Sequence, residues 1–136
     1  MNWRLILQLS LFGLAMGIGT VFVIPSKIEP LFWLAIFIVC AYIIAKRVPA
    51  KHFLHGFFVS LVNCVWVTGS HILLFNQYVA NHPQEAAMMQ AMPLASSPRL
   101  MMALMGPIIG ATSGAVLGLF AFVAGRLLRT RPPAHA

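Results

Sequence analysis

The chain has 136 residues, of which 60% are hydrophobic and only 8% are charged. Soluble domains average about 25% charged residues, so these few charges exclude a water-soluble globule. The net charge of +7 comes from nine lysines and arginines against two acids, Glu29 and Glu85. No soluble basic face is predicted that could bind nucleic acid, so we attribute the excess of cations to the cytoplasmic ends of membrane helices.

Four apolar segments are suited to cross a membrane, and they predict an all-α, integral membrane four-helix bundle with up-down-up-down order. We expect a single membrane domain, residues 1–129, with spans at about 4–25, 30–46, 53–79 and 99–128. The first span follows Arg4 and is stopped by Pro25, and its length favours a membrane span over a secretory signal.

Prolines and charged residues mark the remaining boundaries. Pro30 suits the first turn of the second helix, and Lys46-Arg47 closes that helix. Between the third and fourth spans we expect a surface loop with a short helix around 85–91. Gly106-Pro107 predicts a kink in the last helix, because proline removes a helical hydrogen bond. Residues 130–136 are predicted to be a disordered cytoplasmic tail.

The distribution of cations predicts the orientation of the helices. Four spans place both termini and the loop after the second span on one side, with seven of the nine cations. The other side carries Lys27, Arg99 and both acids. The positive-inside rule therefore predicts cytoplasmic N- and C-termini in a multi-pass protein of a cell membrane such as the bacterial inner membrane.

Glycines recur at helical spacing in the first and last spans. The residues concerned are Gly13 and Gly17 in the first span and Gly106, Gly110, Gly114 and Gly118 in the last. Glycines on one side of a helix let another backbone approach closely, as in a glycine zipper. The pattern is compatible with packing of these spans inside the chain, which we favour, and with dimerisation between copies.

The third span carries a stripe of polar side chains. Its members are Ser60, Asn63, Ser70 and Gln77, with His71 beside them. Such groups face the interior of a bundle, because lipid cannot form hydrogen bonds with them. They are interpreted as hydrogen bonds between helices, as the wall of a ligand cavity or, for His71, as a ligand of a metal or a haem-like pigment.

Six of the eight methionines lie between residues 88 and 105, on the predicted outer side. Thioethers select Cu(I), but methionine is also a flexible apolar filler, which is the interpretation we favour. The candidate metal ligands are Met88, Met89, Met92 and His82. The sequence indicates no particular cofactor.

No catalytic motif is found, so we expect a non-enzymatic membrane protein. The first hypothesis is a protein that acts through helix–helix contacts in the lipid bilayer, as a homo-oligomer or as an accessory subunit of a membrane complex. The alternative is a small transporter or ligand-binding protein that uses the polar stripe, with copper as one candidate ligand. An open cavity lined by Asn63, Ser70 and His71 favours the alternative, and a dry bundle favours the first hypothesis.

Overall fold

The computed structural model describes residues 1–129, and this part of the chain contains six α-helices and no strand. They are α1 (Trp3–Phe22), α2 (Glu29–Arg47), α3 (His52–Leu73), α4 (Phe75–Asn81), α5 (Pro83–Gln90) and α6 (Pro98–Arg129). Among these, α1, α2, α3 and α6 are long and apolar enough to cross a membrane. The prediction of an all-helical protein with four candidate spans is thereby confirmed. The predicted tail at 130–136 lies outside the described residues.

Local signals explain where the helices begin. The Asn2 side chain accepts a hydrogen bond from the Leu5 backbone N–H, so Asn2 caps α1. Pro30 occupies the first turn of α2, where its missing N–H has no carbonyl to bind. Pro107 lies inside the continuous helix α6.

The predicted third span, 53–79, is divided between two helices. Leu74 has a non-helical backbone, with φ −102° and ψ 32°, and separates α3 from α4. At the end of α4, the Asn81 side chain donates a hydrogen bond of 2.7 Å to the Val21 carbonyl oxygen. This carbonyl belongs to the last turn of α1, which has no helical partner for it, so the bond ties α4 to the end of α1. The short helix expected around 85–91 corresponds to α5.

Helix α3 is the centre of the structure. It packs against α1 and against α6, while α2 packs mainly against α6. The six glycines of the predicted small faces all lie against α3. A Cβ atom at Gly13 would lie 2.5 Å from the Asn63 Cα, and one at Gly118 would lie 2.8 Å from the Phe53 carbonyl oxygen. Thus α1 and α6 make their close contacts with α3 and not mainly with each other.

The two ends of the long helices are packed differently. A buried apolar core lies where the N-terminal parts of α1 and α3 meet the C-terminal parts of α2 and α6. Its members are Leu5, Ile6, Leu9, Cys40, Ala41, Ile44, Val48, Val59, Leu117 and Ala121. At the opposite end, α2, α3 and α6 border a cavity.

The substitution Gly56→Ala is expected to lower the free energy of unfolding. The new Cβ would lie 2.7 Å from the Leu117 carbonyl oxygen and 2.9 Å from the Gly118 Cα, and neither backbone atom can move aside alone. Overpacking of this kind costs about 1–3 kcal/mol. Gly69→Ala is the matched control in the same helix, because its Cβ would meet nothing within 4 Å. Thermal unfolding in detergent compares the variants, and equal stability would contradict the close packing of α3 on α6.

Candidate ligand-binding cavity

A cavity of about 570 Å³ lies between α2, α3 and α6, and residues of α4 and α5 complete its wall. Most of the wall is apolar, and the polar groups are few and come mainly from α3. The cavity extends from Ser60 and Ser113, in the middle of their helices, to Glu29 and Glu85 near the helix ends. It therefore penetrates to the depth of the candidate spans.

The structure brings three of the five predicted polar residues to the cavity. Ser60, Asn63 and His71 line it. Ser70 does not, because it is buried against Gly17 of α1. Gln77 lies on an exposed side of α4. The polar stripe thus divides between the cavity wall, a helix contact and the surface.

Asn63 is the polar side chain with the least satisfied environment. It is only 2% exposed, and neither its Oδ1 nor its Nδ2 has a hydrogen-bond partner. Leaving a buried amide unpaired costs about 1–3 kcal/mol per group. The amide is packed against α1, since a Cβ atom at Gly13 would lie 2.7 Å from the Asn63 Oδ1.

His71 is held by contacts with two other helices. Its Nε2 lies 2.8 Å from the hydroxyl oxygen of Thr20 on α1, and that hydroxyl donates to the Met16 carbonyl oxygen. Because the Thr20 hydroxyl hydrogen is already donated to Met16, the hydroxyl oxygen accepts a hydrogen bond from His71 Nε2–H. The neutral imidazole carries one N–H, so its lone pair is on Nδ1. The Tyr78 ring stacks on His71 at 4.2 Å and 24°. These contacts fix the imidazole and leave Nδ1 as an acceptor for a ligand.

The stack continues to His82, which lies away from the cavity wall. The Tyr78 and His82 rings are 4.5 Å apart, and His82 Nδ1 is 3.0 Å from the Tyr78 carbonyl oxygen. His82 is 4% exposed and its Nε2 has no partner. Of the four candidate metal ligands, Met88, Met89 and Met92 line the cavity and His82 does not.

All six clustered methionines belong to the wall of this cavity. They are Met88, Met89, Met92, Met101, Met102 and Met105. Half of them come from α5 and the residues just after it, and half from the start of α6. Within residues 1–129, no group of three or more His, Cys, Asp or Glu side chains could hold a metal ion. The six methionines contribute flexible apolar side chains to the wall.

Both acidic residues of the chain also line the cavity, which the sequence interpretation missed. Glu29 accepts a hydrogen bond of 3.0 Å from the Trp33 indole N–H, and Glu85 accepts one from the Ser26 hydroxyl. The bond from Ser26 holds the pKa of Glu85 below its usual value. Burial, with the nearby Glu85 and Glu29 carboxylates, raises the pKa of Tyr78 to about 12. Both carboxylates of the described residues thus lie at the mouth of the cavity.

The deep end of the cavity is closed by hydrogen bonds between α3 and α6. Ser113 donates to the Ile109 carbonyl oxygen at 2.7 Å and lies 2.8 Å from the Ser60 hydroxyl, which donates to it. The Cys64 thiol donates to the Gly106 carbonyl oxygen. Ser113 was not singled out in the sequence, although it precedes Gly114 of the glycine face.

The fold and this cavity define a helical protein with four helices suited to a membrane and a mostly apolar internal site. No protein-family model, curated protein or solved structure matches the chain. Its function is therefore inferred from the chemistry of its own residues.

The Thr20→Val variant is expected to lose up to about 1 kcal/mol of stability, the usual scale of a hydrogen bond between membrane helices. Valine keeps the shape of threonine but cannot accept from His71. Thr112→Val is the control, because the Thr112 hydroxyl is exposed and bonds only within its own helix. His71→Leu removes the same hydrogen bond. In detergent unfolding, the Thr20→Val/His71→Leu double variant should therefore lose less stability than the two single variants lose in sum. Strict additivity would contradict the bond between α1 and α3.

Proposed function

We propose that this chain is a non-enzymatic, multi-pass membrane protein that binds a small molecule in this cavity, as a small transporter or ligand-binding protein. The main support is the cavity itself, in which a few polar groups of α3, among them the His71 imidazole with its free acceptor, stand in a mostly apolar wall. Ligand sites are typically cavities of about 300–1,000 Å³, mostly apolar, with a few placed polar groups. The cavity has this volume and this kind of wall.

The proposed topology is a single domain, residues 1–129, with up-down-up-down spans and cytoplasmic termini. Along the contact between α1 and α3, residue numbers increase in the same direction on both helices, as in Asn2 with His55 and Thr20 with His71. Contacts between α6 and α3 run in opposite order, since Gly106 meets Thr68 and Gly118 meets Phe53. Parallel α1 and α3, with α6 antiparallel to them, support this order.

In that orientation the apolar core lies toward the cytoplasm and the cavity opens on the outer side. We also propose that α6 is kinked at Gly106-Pro107, where proline cannot donate to the Ala103 carbonyl oxygen. Gly106 itself belongs to the cavity wall. A bend at this point would widen the cavity mouth.

Reporter fusions test the topology. A fusion after Leu128 is expected to report a cytoplasmic location, and one near Gln90, in the last turn of α5, an external one. The expectation follows from the positive-inside rule, with six of the described lysines and arginines at the core end and two at the other. A cytoplasmic signal at Gln90 would overturn the four-span orientation and, with it, the outward opening.

Copper is a second candidate ligand, favoured by six methionines and the His71 Nδ1 on one wall. The hypothesis of a homo-oligomer or an accessory subunit gains no support from the glycine faces. Those faces are already occupied by α3 of the same chain.

Cysteine labelling tests whether the cavity is open to small molecules. A small neutral maleimide is expected to modify Cys64, which lines the cavity, and to leave Cys40, which is 0% exposed. Ile109→Trp should slow labelling of Cys64, because Ile109 also lines the cavity. Ile108→Trp is the matched control, with a side chain equally exposed but outside the wall. Peptide mass spectrometry measures both sites. A Cys64 as unreactive as Cys40 would refute the open cavity.

A further inference from the structure

We infer that the ligand of this cavity is a lipophilic organic cation, in which a positive group is attached to an apolar body. The inference rests on the proposed function, because it assigns a ligand class to the same site. It combines the charge of the wall, the free acceptor inside it, its aromatic and thioether surface and its volume.

The charge of the wall is opposite to the charge of the chain. The protein carries nine lysines and arginines and two acids, yet both acids line the cavity and none of the described lysines or arginines does. On the same end of the helices, Arg99 lies over the Phe75 ring at 5.2 Å, and Phe75 is also outside this wall. A cation entering the cavity therefore meets Glu29 and Glu85 without a competing ammonium or guanidinium group on the wall.

The interior of the cavity offers an acceptor as well. His71 presents the Nδ1 lone pair, because its Nε2–H is used by Thr20. An acceptor in an otherwise apolar wall suits an N–H group or the positive charge of a ligand.

The remaining wall suits an apolar, polarisable body. Trp33, Phe37 and Tyr78 contribute aromatic rings, and a cation over such a ring is attracted by its negative face. Methionine side chains are flexible and polarisable, so they adapt to ligands of different shape. A volume of about 570 Å³ matches an organic molecule, whereas a single metal ion would fill only a small part of it.

Two probes of the same shape and opposite charge test the inference. Tetraphenylphosphonium and tetraphenylborate are added to the protein in nanodiscs of zwitterionic lipid, and protection of Cys64 from the maleimide is measured. The phosphonium should protect Cys64 and the borate should not.

Glu29→Gln and Glu85→Gln should each raise the phosphonium concentration needed to protect Cys64 by roughly fivefold, the size of a partly screened charge interaction. Both variants keep the acceptor for Trp33 or Ser26, and Glu85→Asp, which keeps the charge, should restore most of the protection.

The outcomes separate this inference from the proposed function. Equal protection by both probes would overturn the preference for cations and leave the cavity as a general apolar site. Labelling of Cys64 without protection by either probe would overturn the inference, and copper retained by the purified protein would then favour the metal. A Cys64 that is not labelled at all would instead refute the proposed function.

Discussion

The close approach of α1 and α6 to the backbone of α3 is the constraint on which the rest of the structure depends. Membrane helices gain little from burying apolar side chains, since lipid is equally apolar, so small residues that allow dense packing decide which helices meet. Gly13 places α1 on Asn63, and Gly118 places α6 on Phe53. With both sides of α3 occupied, α2 packs mainly on α6. The space that remains between α2, α3 and α6, away from the apolar core, is the cavity.

Polar groups at membrane depth either pair across these helix contacts or face the cavity. Ser60 pairs with Ser113, and His71 pairs with Thr20, so each of these bonds also fixes α3 against a neighbouring helix. Asn63 differs, since its amide remains unpaired although it is almost completely buried. An unpaired amide is costly in a dry interior and is relieved when a ligand or water pairs with it.

Much of the fold was predictable from local features, whereas the site required the tertiary arrangement. Hydropathy located the four candidate spans, and Pro30 located the start of α2, because both signals act within one or two helical turns. The glycine spacing predicted close contacts but could not name α3 as the partner, because a small face fits any helix. The break at Leu74 was not predicted, and the helix after it is held by a bond from Asn81 to Val21 of α1, sixty residues away. Glu29 and Glu85 were visible as the only acids, but their meeting at one cavity depends on how α5 returns to α2.

The separation of charge along the helices makes a cation site compatible with a protein of net charge +7. Lys46, Arg47 and Lys51 lie at the core end of α2 and α3, and Arg126 and Arg129 lie in the last turn of α6. Helix α3 has 22 residues, so these groups are roughly 30 Å from the cavity mouth. Exposed charges interact weakly beyond a Debye length of about 8 Å, so the cations at the far end contribute little repulsion at the mouth. On the cavity wall itself the charged side chains are the carboxylates of Glu29 and Glu85. The end that carries the cavity mouth holds both acids and two cations, Lys27 and Arg99, but only the acids belong to the cavity wall.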